Sequence, residues 1–374
     1  MSFYETLSKS KNLPAENVFR AVTAERVLRS IASDREDPAR LLALLSPCAA
    51  RHLEAMARKA HELTSRHFGK VIQLYTPLYL SNYCENRCEY CGFNAANDLP
   101  RRTLTMEEVE REAAYIAATG LEHILVLTGG SRRRAALSYI KDAIRVLKKH
   151  FSSISVEIYA LTEAEYSEIV NEGVDGLTIY QETYDEAVYD RVHQAGPKKD
   201  FRFRLEAPER AAGVGIRGVN IGALLGLNDW RSEAFFLGLH AKYLQDVFPD
   251  AEVAVSVPRL RPHEGSFKEI KPVSDRDLVQ IILALRLFLP RLGITISTRE
   301  PSELREHLLP LGITRMSAGS TTEVGGHTLG GIGAGGASVK AEQFEIADKR
   351  DVEEVKAMLA AKGYQPVMKD WMQL

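Results

Sequence analysis

Cysteine is scarce in this chain of 374 residues, which holds only four, at positions 48, 84, 88 and 91. Four cysteines form at most two disulfide bonds, which are too few to stabilise a chain of this length, and this excludes a disulfide scaffold. Three of them, Cys84, Cys88 and Cys91, lie within one short stretch, and no cysteine follows Cys91. In a reducing compartment, so tight a group of thiols more often binds metal or carries out redox chemistry.

An excess of charge of one sign is also absent, because 48 Lys and Arg residues face 50 Asp and Glu residues, a formal net charge of −2. No overall field therefore attracts nucleic acid or an acidic membrane. No apolar run reaches the roughly 18 residues that a membrane helix needs. The first residues lack the apolar core of a signal peptide. These absences predict a cytoplasmic protein without a nucleic-acid or membrane partner.

Short apolar or β-branched runs recur from residue 71 onward, and each is followed by a loop and a helical pattern. The eight runs cover residues 71–80, 124–128, 156–161, 176–180, 218–221, 253–257, 294–297 and 313–317. Eight strands alternating with helices predict an α/β fold, a (β/α)₈ TIM barrel over residues 71–319. An open doubly wound sheet is the alternative. In such barrels the chemistry lies at the carboxyl ends of the strands.

The flanking segments are expected to form two extensions. Residues 1–70 have helical spacing and are predicted to cover the barrel floor or to serve docking, and residues 320–374 to form a C-terminal flap and helix. The glycine-rich stretch 325–336 lacks the Gly-Lys-Ser/Thr of a phosphate loop, so we interpret it as a flap over the barrel mouth or a plain connection. Within the barrel, Thr105 with Glu108 predicts a helix-capping box.

The cysteine loop follows the first predicted strand and has the spacing C-x₃-C-x₂-C. Three thiolates on one short loop can hold three irons of a cubane and leave the fourth iron for an exchangeable ligand. Zinc is the competing interpretation, but a structural zinc usually takes four ligands from two C-x₂-C knuckles. No second knuckle exists, and the next histidine is His123. Inert buried thiols are the third alternative, which the polar and charged loop disfavours.

This loop, placed after the first strand of a barrel, resembles that of the radical S-adenosylmethionine (SAM) superfamily. The surrounding residues resemble the 2-iminoacetate synthase (ThiH-type tyrosine lyase) family within it. Further matches are YQETY at 180–184, RLEAPER at 204–210, IGALLGL at 221–227, SVPRLRP at 256–262, STRE at 297–300 and KDW at 369–371. The related hydrogenase maturases carry three more cysteines near their C-terminus, which this chain lacks.

The resemblance implies a [4Fe-4S] cluster on Cys84, Cys88 and Cys91, with SAM on the open iron. It implies a lyase that cleaves the Cα–Cβ bond of L-tyrosine to 2-iminoacetate and p-cresol, with 5′-deoxyadenosine and methionine formed from SAM. The product would supply the thiazole moiety in thiamine biosynthesis through a ThiG-type thiazole synthase partner, and a flavodoxin or ferredoxin would donate electrons. The alternatives are a radical SAM lyase of another aromatic amino acid, such as tryptophan, and a catalytically impaired iron–sulfur scaffold.

The resemblance also implies roles for residues at the strand ends. Glu182 and Glu157 would face the SAM ribose, Arg204 the SAM carboxylate, and the small Gly222 the adenine. For the substrate, Arg299 would bind the carboxylate and Ser317 the amine, with Arg259 as a second basic candidate.

One position departs from the family pattern. In the string Thr128-Gly129-Gly130-Ser131 the family usually has a glutamate that accepts from the SAM amino group, and here Gly130 takes its place. Gly129 remains a predicted SAM contact. Ser131 or the carbonyl groups of the glycine pair are the available substitutes for the missing carboxylate.

Overall fold

Parallel strands form one sheet in the computed structural model, which describes residues 2–11, 13–263, 267, 271–328 and 341–368. The strands in these ranges are β1 Val71–Ser81, β2 His123–Thr128, β3 Ser153–Glu157, β4 Gly176–Glu182, β5 Gly218–Ala223, β6 Glu252–Ser256, β7 Gly293–Ile296, β8 Arg315–Ser317 and β9 Gln365–Val367. All pairings between them are parallel.

The first eight strands close into a barrel because β1 pairs with both β2 and β8. Thr76 of β1 lies opposite Ile124, and Gln73 lies opposite Arg315. The remaining strands pair in chain order from β2 to β8. The predicted (β/α)₈ TIM barrel is therefore confirmed, and the open doubly wound sheet is excluded.

Some helices come before the barrel in the chain, and others follow its individual strands. They are α1 Phe3–Ser10, α2 Glu16–Arg20, α3 Ala24–Ala32, α4 Pro38–Leu45, α5 Leu53–Phe68, α6 Met106–Ala117, α7 Leu137–Leu147, α8 Glu163–Glu172, α9 Glu186–Val192, α10 Phe201–Leu205, α11 Ala207–Gly213, α12 Trp230–Val247, α13 Asp275–Phe288, α14 Ser302–Leu308 and α15 Val352–Ala361. Thr105 and Glu108 form the predicted capping box before α6. No helix in the described ranges is long and apolar enough to cross a membrane.

The N-terminal helices pack against the outer helical layer of the barrel. The principal contacts of α4 and α5 are with α13, and α4 also packs on α12. Gln280 on α13 donates to the carbonyl groups of Leu44 and Ser46, each at 2.9 Å. These contacts place the helices beside the barrel wall, whereas the sequence analysis favoured its floor.

The C-terminal extension returns to the barrel twice. Residues 341–348, which we call the strap, cross the mouth of the barrel, and β9 then pairs with the first residues of β1. Of the glycine-rich stretch, residues 329–336 lie outside the described part of the chain, as does the KDW match at 369–371. The first residues of the stretch are held in place, because the buried carboxylate of Glu112 accepts from the backbone N–H groups of His327 and Thr328.

Candidate active site

A cavity of about 230 Å³ opens at the carboxyl ends of the barrel strands, where barrels of this class carry their chemistry. Nine of the predicted site residues line it: Cys84, Cys88, Cys91, Gly129, Glu157, Glu182, Arg204, Arg299 and Ser317. Gly222 in β5 and the second basic candidate, Arg259, do not. A Cβ on Gly222 would lie 2.6 Å from the ring of Tyr180, so we interpret Gly222 as a packing position beneath that ring.

The cysteine loop is held by backbone hydrogen bonds on both sides. On one side, the N–H of Glu85 donates to the carbonyl of Gly130 at 3.4 Å. On the other, the N–H of Arg87 donates to Ala195 at 2.9 Å, and Gln194 donates back to Arg87 at 3.0 Å. The loops after β2 and after α9 therefore determine where the thiols lie.

The three cysteines form no disulfide, and two of their sulfurs, those of Cys84 and Cys91, face N–H donors. The Sγ atom of Cys84 accepts from the backbone N–H of Gly130 at 3.3 Å and from Asn86 at 3.5 Å. The amide nitrogen of Gln343 lies 3.8 Å from the Sγ atom of Cys91. Burial raises the pKa of Cys88 to about 12 and that of Cys91 to about 11, so metal binding has to displace their protons.

This donor set suits a cluster better than a single ion. Within the described ranges, no three His, Cys, Asp or Glu side chains are grouped closely enough to hold one metal ion, which a zinc site requires. The three cysteines instead border one cavity, and the sulfurs of Cys84 and Cys91 accept hydrogen bonds from N–H groups, as the thiolates of iron–sulfur clusters do. The residues present therefore fit a cubane held by three cysteines.

Close packing explains the glycine at position 130. A Cβ on Gly130 would lie 2.2 Å from Nδ2 of Asn86, and one on Gly129 would lie 2.3 Å from the carbonyl oxygen of Tyr83. The Asn86 side chain thus occupies the space that a glutamate at position 130 would need. Of the substitutes considered, Ser131 is engaged elsewhere, because its hydroxyl donates to Glu85 at 2.7 Å.

Glu182 is held in a strained conformation in the cavity wall. It has a φ of 72°, the only positive φ of a non-glycine residue in the described part of the chain, and the register of β4 against β5 shifts just before it. Its Oε1 atom accepts from Nζ of Lys198 at 2.6 Å and lies 3.9 Å from Arg204. Its side chain is 9% exposed and lines the cavity, and backbone strain of this kind clusters at functional sites.

Of the three arginines at positions 202, 204 and 210, Arg204 lines the cavity. Its Nε donates to the carbonyl of Tyr180 at 2.7 Å. Arg202 instead pairs with Glu206 at 2.9 Å, and Arg210 donates to the carbonyls of Leu161 and Phe203; neither of these two arginines lines the cavity. The three neighbouring arginines are therefore separated by their partners.

Within the described ranges, the side-chain carboxyl of Glu157, the last residue of β3, has no hydrogen-bond partner. Burial, and then the charge of Glu182, raise the pKa of Glu157 to about 7, against the opposing charges of Arg299, Arg204 and Lys198. This carboxyl group therefore changes its charge near neutral pH.

Arg299 is a cation without an acidic partner at ion-pair distance among the described residues. Its obvious neighbour Glu300 pairs instead with Arg259 and Arg261, so Arg259 is not available to a substrate. The guanidinium carbon of Arg299 lies 3.3 Å from the centroid of the Phe344 ring. Burial lowers the pKa of Arg299, but a guanidinium stays charged in proteins, so this group is ready for a carboxylate ligand.

Ser317 is fixed by two neighbours. Its Oγ atom accepts from the backbone N–H of Thr298 at 3.1 Å, and its carbonyl accepts from the buried side chain of Arg305. The hydroxyl also hydrogen-bonds with Tyr75, which lines the same cavity.

Four cavity residues had no signal in the sequence: Asn86, Lys198, Gln343 and Phe344. Lys198 lies in a short turn after α9, and Gln343 and Phe344 lie on the strap, far from any predicted strand end. Their position in loops that follow strands or helices of the barrel is the one sequence feature that could have suggested them as site residues. Several of their contacts join residues far apart in the chain: Gln343 contacts Tyr79 and Cys91, and the backbone N–H of Lys198 donates to Asn86.

Comparison with known families gives two matches along the chain. The radical SAM superfamily matches residues 78–237, and the Biotin and Thiamin Synthesis associated domain matches residues 256–365. The chain is 40% identical over 352 residues to 2-iminoacetate synthase of Escherichia coli (strain K12), covering 94% of this chain and 91% of the relative. It is 39% identical over the same length to 2-iminoacetate synthase of Salmonella typhimurium.

Solved structures agree on the architecture. The crystal structure of HydG, a maturase of the [FeFe]-hydrogenase, superposes with a TM-score of 0.86 at 31% identity, covering 98% of this chain and 79% of that one. HydG from Carboxydothermus hydrogenoformans gives 0.84 at 32% identity, with coverage of 98% and 83%. The chain belongs to the 2-iminoacetate synthase family of the radical SAM superfamily.

Proposed function

We propose that this chain is a radical SAM carbon–carbon lyase, a 2-iminoacetate synthase that cleaves the Cα–Cβ bond of L-tyrosine to 2-iminoacetate and p-cresol. The curated relatives that carry this name match 94% of the chain. The single observation that carries the proposal is that the unpaired cation of Arg299 lines the same cavity as the three thiols. An amino acid held by that cation would lie in the cluster's own cavity.

The chain's residues are suited to hold both groups of the cofactor. Cys84, Cys88 and Cys91 would bind the [4Fe-4S] cluster, and Gly129 would allow the backbone to approach SAM closely. When bound, the cluster and SAM supply a 5′-deoxyadenosyl radical, which is one-electron chemistry that no side chain here provides. Lys198 binds Oε1 of Glu182, which leaves Oε2 to accept from a ribose hydroxyl.

Arg204 and Glu157 complete the SAM side of the cavity. Arg204 keeps Nε on the Tyr180 carbonyl. Its terminal nitrogens, one of them 3.9 Å from Glu182, would donate to the SAM carboxylate, a planar partner that suits arginine. Glu157 would accept from the ribose in its ionised form, which it reaches above a pH of about 7.

On the substrate side, Arg299 would bind the tyrosine carboxylate and Ser317 would hold the amine. The guanidinium of Arg299 lies over the Phe344 ring and lines the cavity, where two parallel N–H groups would bind both carboxylate oxygens. The closed barrel wall keeps water from the reacting atoms, which protects short-lived intermediates.

The product and the electron source imply partners. 2-Iminoacetate hydrolyses readily, so direct transfer to a ThiG-type thiazole synthase, as part of thiamine biosynthesis, is the route we propose. A flavodoxin or ferredoxin would supply the electron. We place the protein in the cytoplasm, because in this reducing compartment the three thiols that line the cavity would stay reduced until the cluster is assembled.

Anaerobic reconstitution with turnover tests the function. The iron-loaded protein should cleave SAM to 5′-deoxyadenosine when reduced, faster with L-tyrosine than without it, and should release p-cresol. Tryptophan and phenylalanine serve as matched alternatives. Faster cleavage with tryptophan, and no p-cresol, would favour the lyase of another aromatic amino acid, whereas no SAM cleavage by fully loaded protein would leave an impaired scaffold. Protein that binds only zinc would overturn the cluster itself.

A further inference from the structure

The strap, residues 341–348, is in backbone contact with the cysteine loop. The N–H of Gly92, next to Cys91, donates to the carbonyl of Gln343 at 3.0 Å. A Cβ on Gly92 would lie 2.4 Å from the carbonyl oxygen of Glu342. Only glycine permits this approach, so the position of the loop and that of the strap depend on each other.

Gln343 connects a sulfur of the loop to the barrel wall. Its Oε1 accepts from the hydroxyl of Tyr79 at 2.7 Å, and its Nε2 lies 3.8 Å from the Sγ atom of Cys91. Burial raises the pKa of Tyr79 well above its usual value, so this hydroxyl remains a donor. The tyrosine thereby holds the amide with its N–H₂ toward the sulfur, the orientation that a thiolate needs because it can only accept.

Phe344, the next residue, covers the substrate cation. Its ring centroid lies 3.3 Å from the guanidinium carbon of Arg299. Its carbonyl accepts from the hydroxyl of Thr322 at 3.2 Å, which helps to fix the ring. A guanidinium stacked on an aromatic face is attracted to it and loses its freedom to rotate out of that plane.

The far end of the strap is anchored in the protein interior. Asp348 forms an ion pair with Arg305, and the two side chains are 1% and 0% exposed. The backbone N–H groups of Ala347 and Asp348 both donate to the carbonyl of Thr298, at 3.0 and 3.1 Å. Arg305 also donates to the carbonyl of Ser317. The anchor therefore holds the strap to the ends of β7 and β8, which carry the substrate side of the site.

We propose that the strap positions both halves of the site through adjacent residues. Gln343 stabilises the reduced state of the cluster on Cys91, because added negative charge on the sulfur strengthens an N–H···S hydrogen bond. Phe344 orients Arg299 toward the substrate carboxylate. Both are positioning residues, and the Phe344 part rests on the proposed function because it assumes an amino-acid substrate.

The test compares three variants of the reconstituted holoenzyme: Q343L, F344L and, as a matched control, E345Q. The Glu345 side chain is exposed and the residue's hydrogen bond to Pro262 uses its backbone N–H. Two quantities are measured: the midpoint potential of the cluster, by redox titration without tyrosine, and the Kd of L-tyrosine for unreduced, SAM-loaded protein.

Q343L should shift the midpoint to a more negative potential, so that less than half of its cluster is reduced at the wild-type midpoint, with the Kd of tyrosine changed less than twofold. F344L should leave the midpoint in place and raise that Kd about 2- to 30-fold, the range of a cation–π contact. F344Y, which keeps the aromatic face, should restore the wild-type Kd. E345Q should change neither quantity.

An unchanged midpoint in Q343L would overturn the role of Gln343, and an unchanged Kd in F344L would overturn that of Phe344. The midpoint potential does not depend on how many molecules carry a cluster, so it can be measured even for a variant with lower iron content. Wild-type protein that binds tyrosine but releases no p-cresol would contradict the proposed lyase function and leave both strap measurements valid.

Discussion

The two walls of the cavity differ in how far apart their residues lie in the chain. The cofactor wall comes mainly from one loop, with Cys84, Cys88 and Cys91 within a few residues of one another. The substrate wall joins Arg299 after β7, Ser317 in β8 and Phe344 on the strap. Cluster chemistry requires closely spaced thiolates, whereas a carboxylate needs only one cation in the right place. Local sequence therefore identifies the first wall more readily than the second.

The largest expected effect is the loss of a thiol from the cofactor wall. C88S should lose most of its iron and the visible absorbance of the cluster, because two thiolates remain where three are needed. C48S is the matched control, since Cys48 is buried in the N-terminal extension and does not line the cavity. Iron analysis after anaerobic reconstitution decides this. Equal iron in C88S and C48S would mean that the local loop does not hold the cluster.

A second change tests whether the cofactor wall depends on packing with β2. G130E should lower iron loading severalfold, because the new side chain displaces Asn86, which donates to Cys84. The double variant N86A/G130E removes that clash and should recover part of the iron. If G130E alone loads iron like wild type, then Asn86 does not exclude a glutamate at this position.

On the substrate wall, R299A should weaken L-tyrosine binding by roughly 10- to 100-fold, the worth of a hydrogen bond to a charged group. R299K keeps the charge but loses the paired N–H groups, so it should lie between R299A and wild type. Binding of SAM should change less than twofold in both variants. Equilibrium dialysis of each ligand measures this, and equal losses for SAM and tyrosine would contradict the separation of the two walls.

The smallest effect concerns Glu157, whose pKa responds to groups on both walls. Its pKa of about 7 in the folded protein exceeds the value of about 4.3 in an unfolded chain. Its contribution to stability is therefore complete below pH ~4.3 and is lost as the pH rises through about 7. Relative to E157Q, the thermal midpoint of cluster-free wild type should fall between about pH 5 and pH 8.

Glu165 supplies the control for this measurement. Its hydrogen bond to Arg132 lowers its pKa to about 2, so its contribution to stability is lost only in acid, below the same range. The difference between wild type and E165Q should stay constant from about pH 5 to pH 8. A constant difference for E157Q as well would show that Glu157 is ionised throughout.

The fold could be predicted where the pattern is long and local. The Thr105 capping box formed as predicted because both partners lie within one turn. The third strand was predicted too late in the chain: the predicted run covers residues 156–161, whereas β3 covers Ser153–Glu157. The remaining residues of the run form a loop on the cavity side. The three-residue strand β9 was missed, because so short a segment carries no periodicity and is held by pairing with β1.

By itself, the sequence determined the (β/α)₈ alternation, the three-thiol loop and the family, since each depends on residue types at short fixed spacings. Only the tertiary structure decided that Glu300 is taken by Arg259 and Arg261, which leaves Arg299 unpaired. It also decided that Gly222 lies beneath Tyr180 and that Gln343 reaches Cys91. An ion pair or a hydrogen bond between distant residues depends on which elements the fold brings within a few ångströms, and no local spacing encodes that.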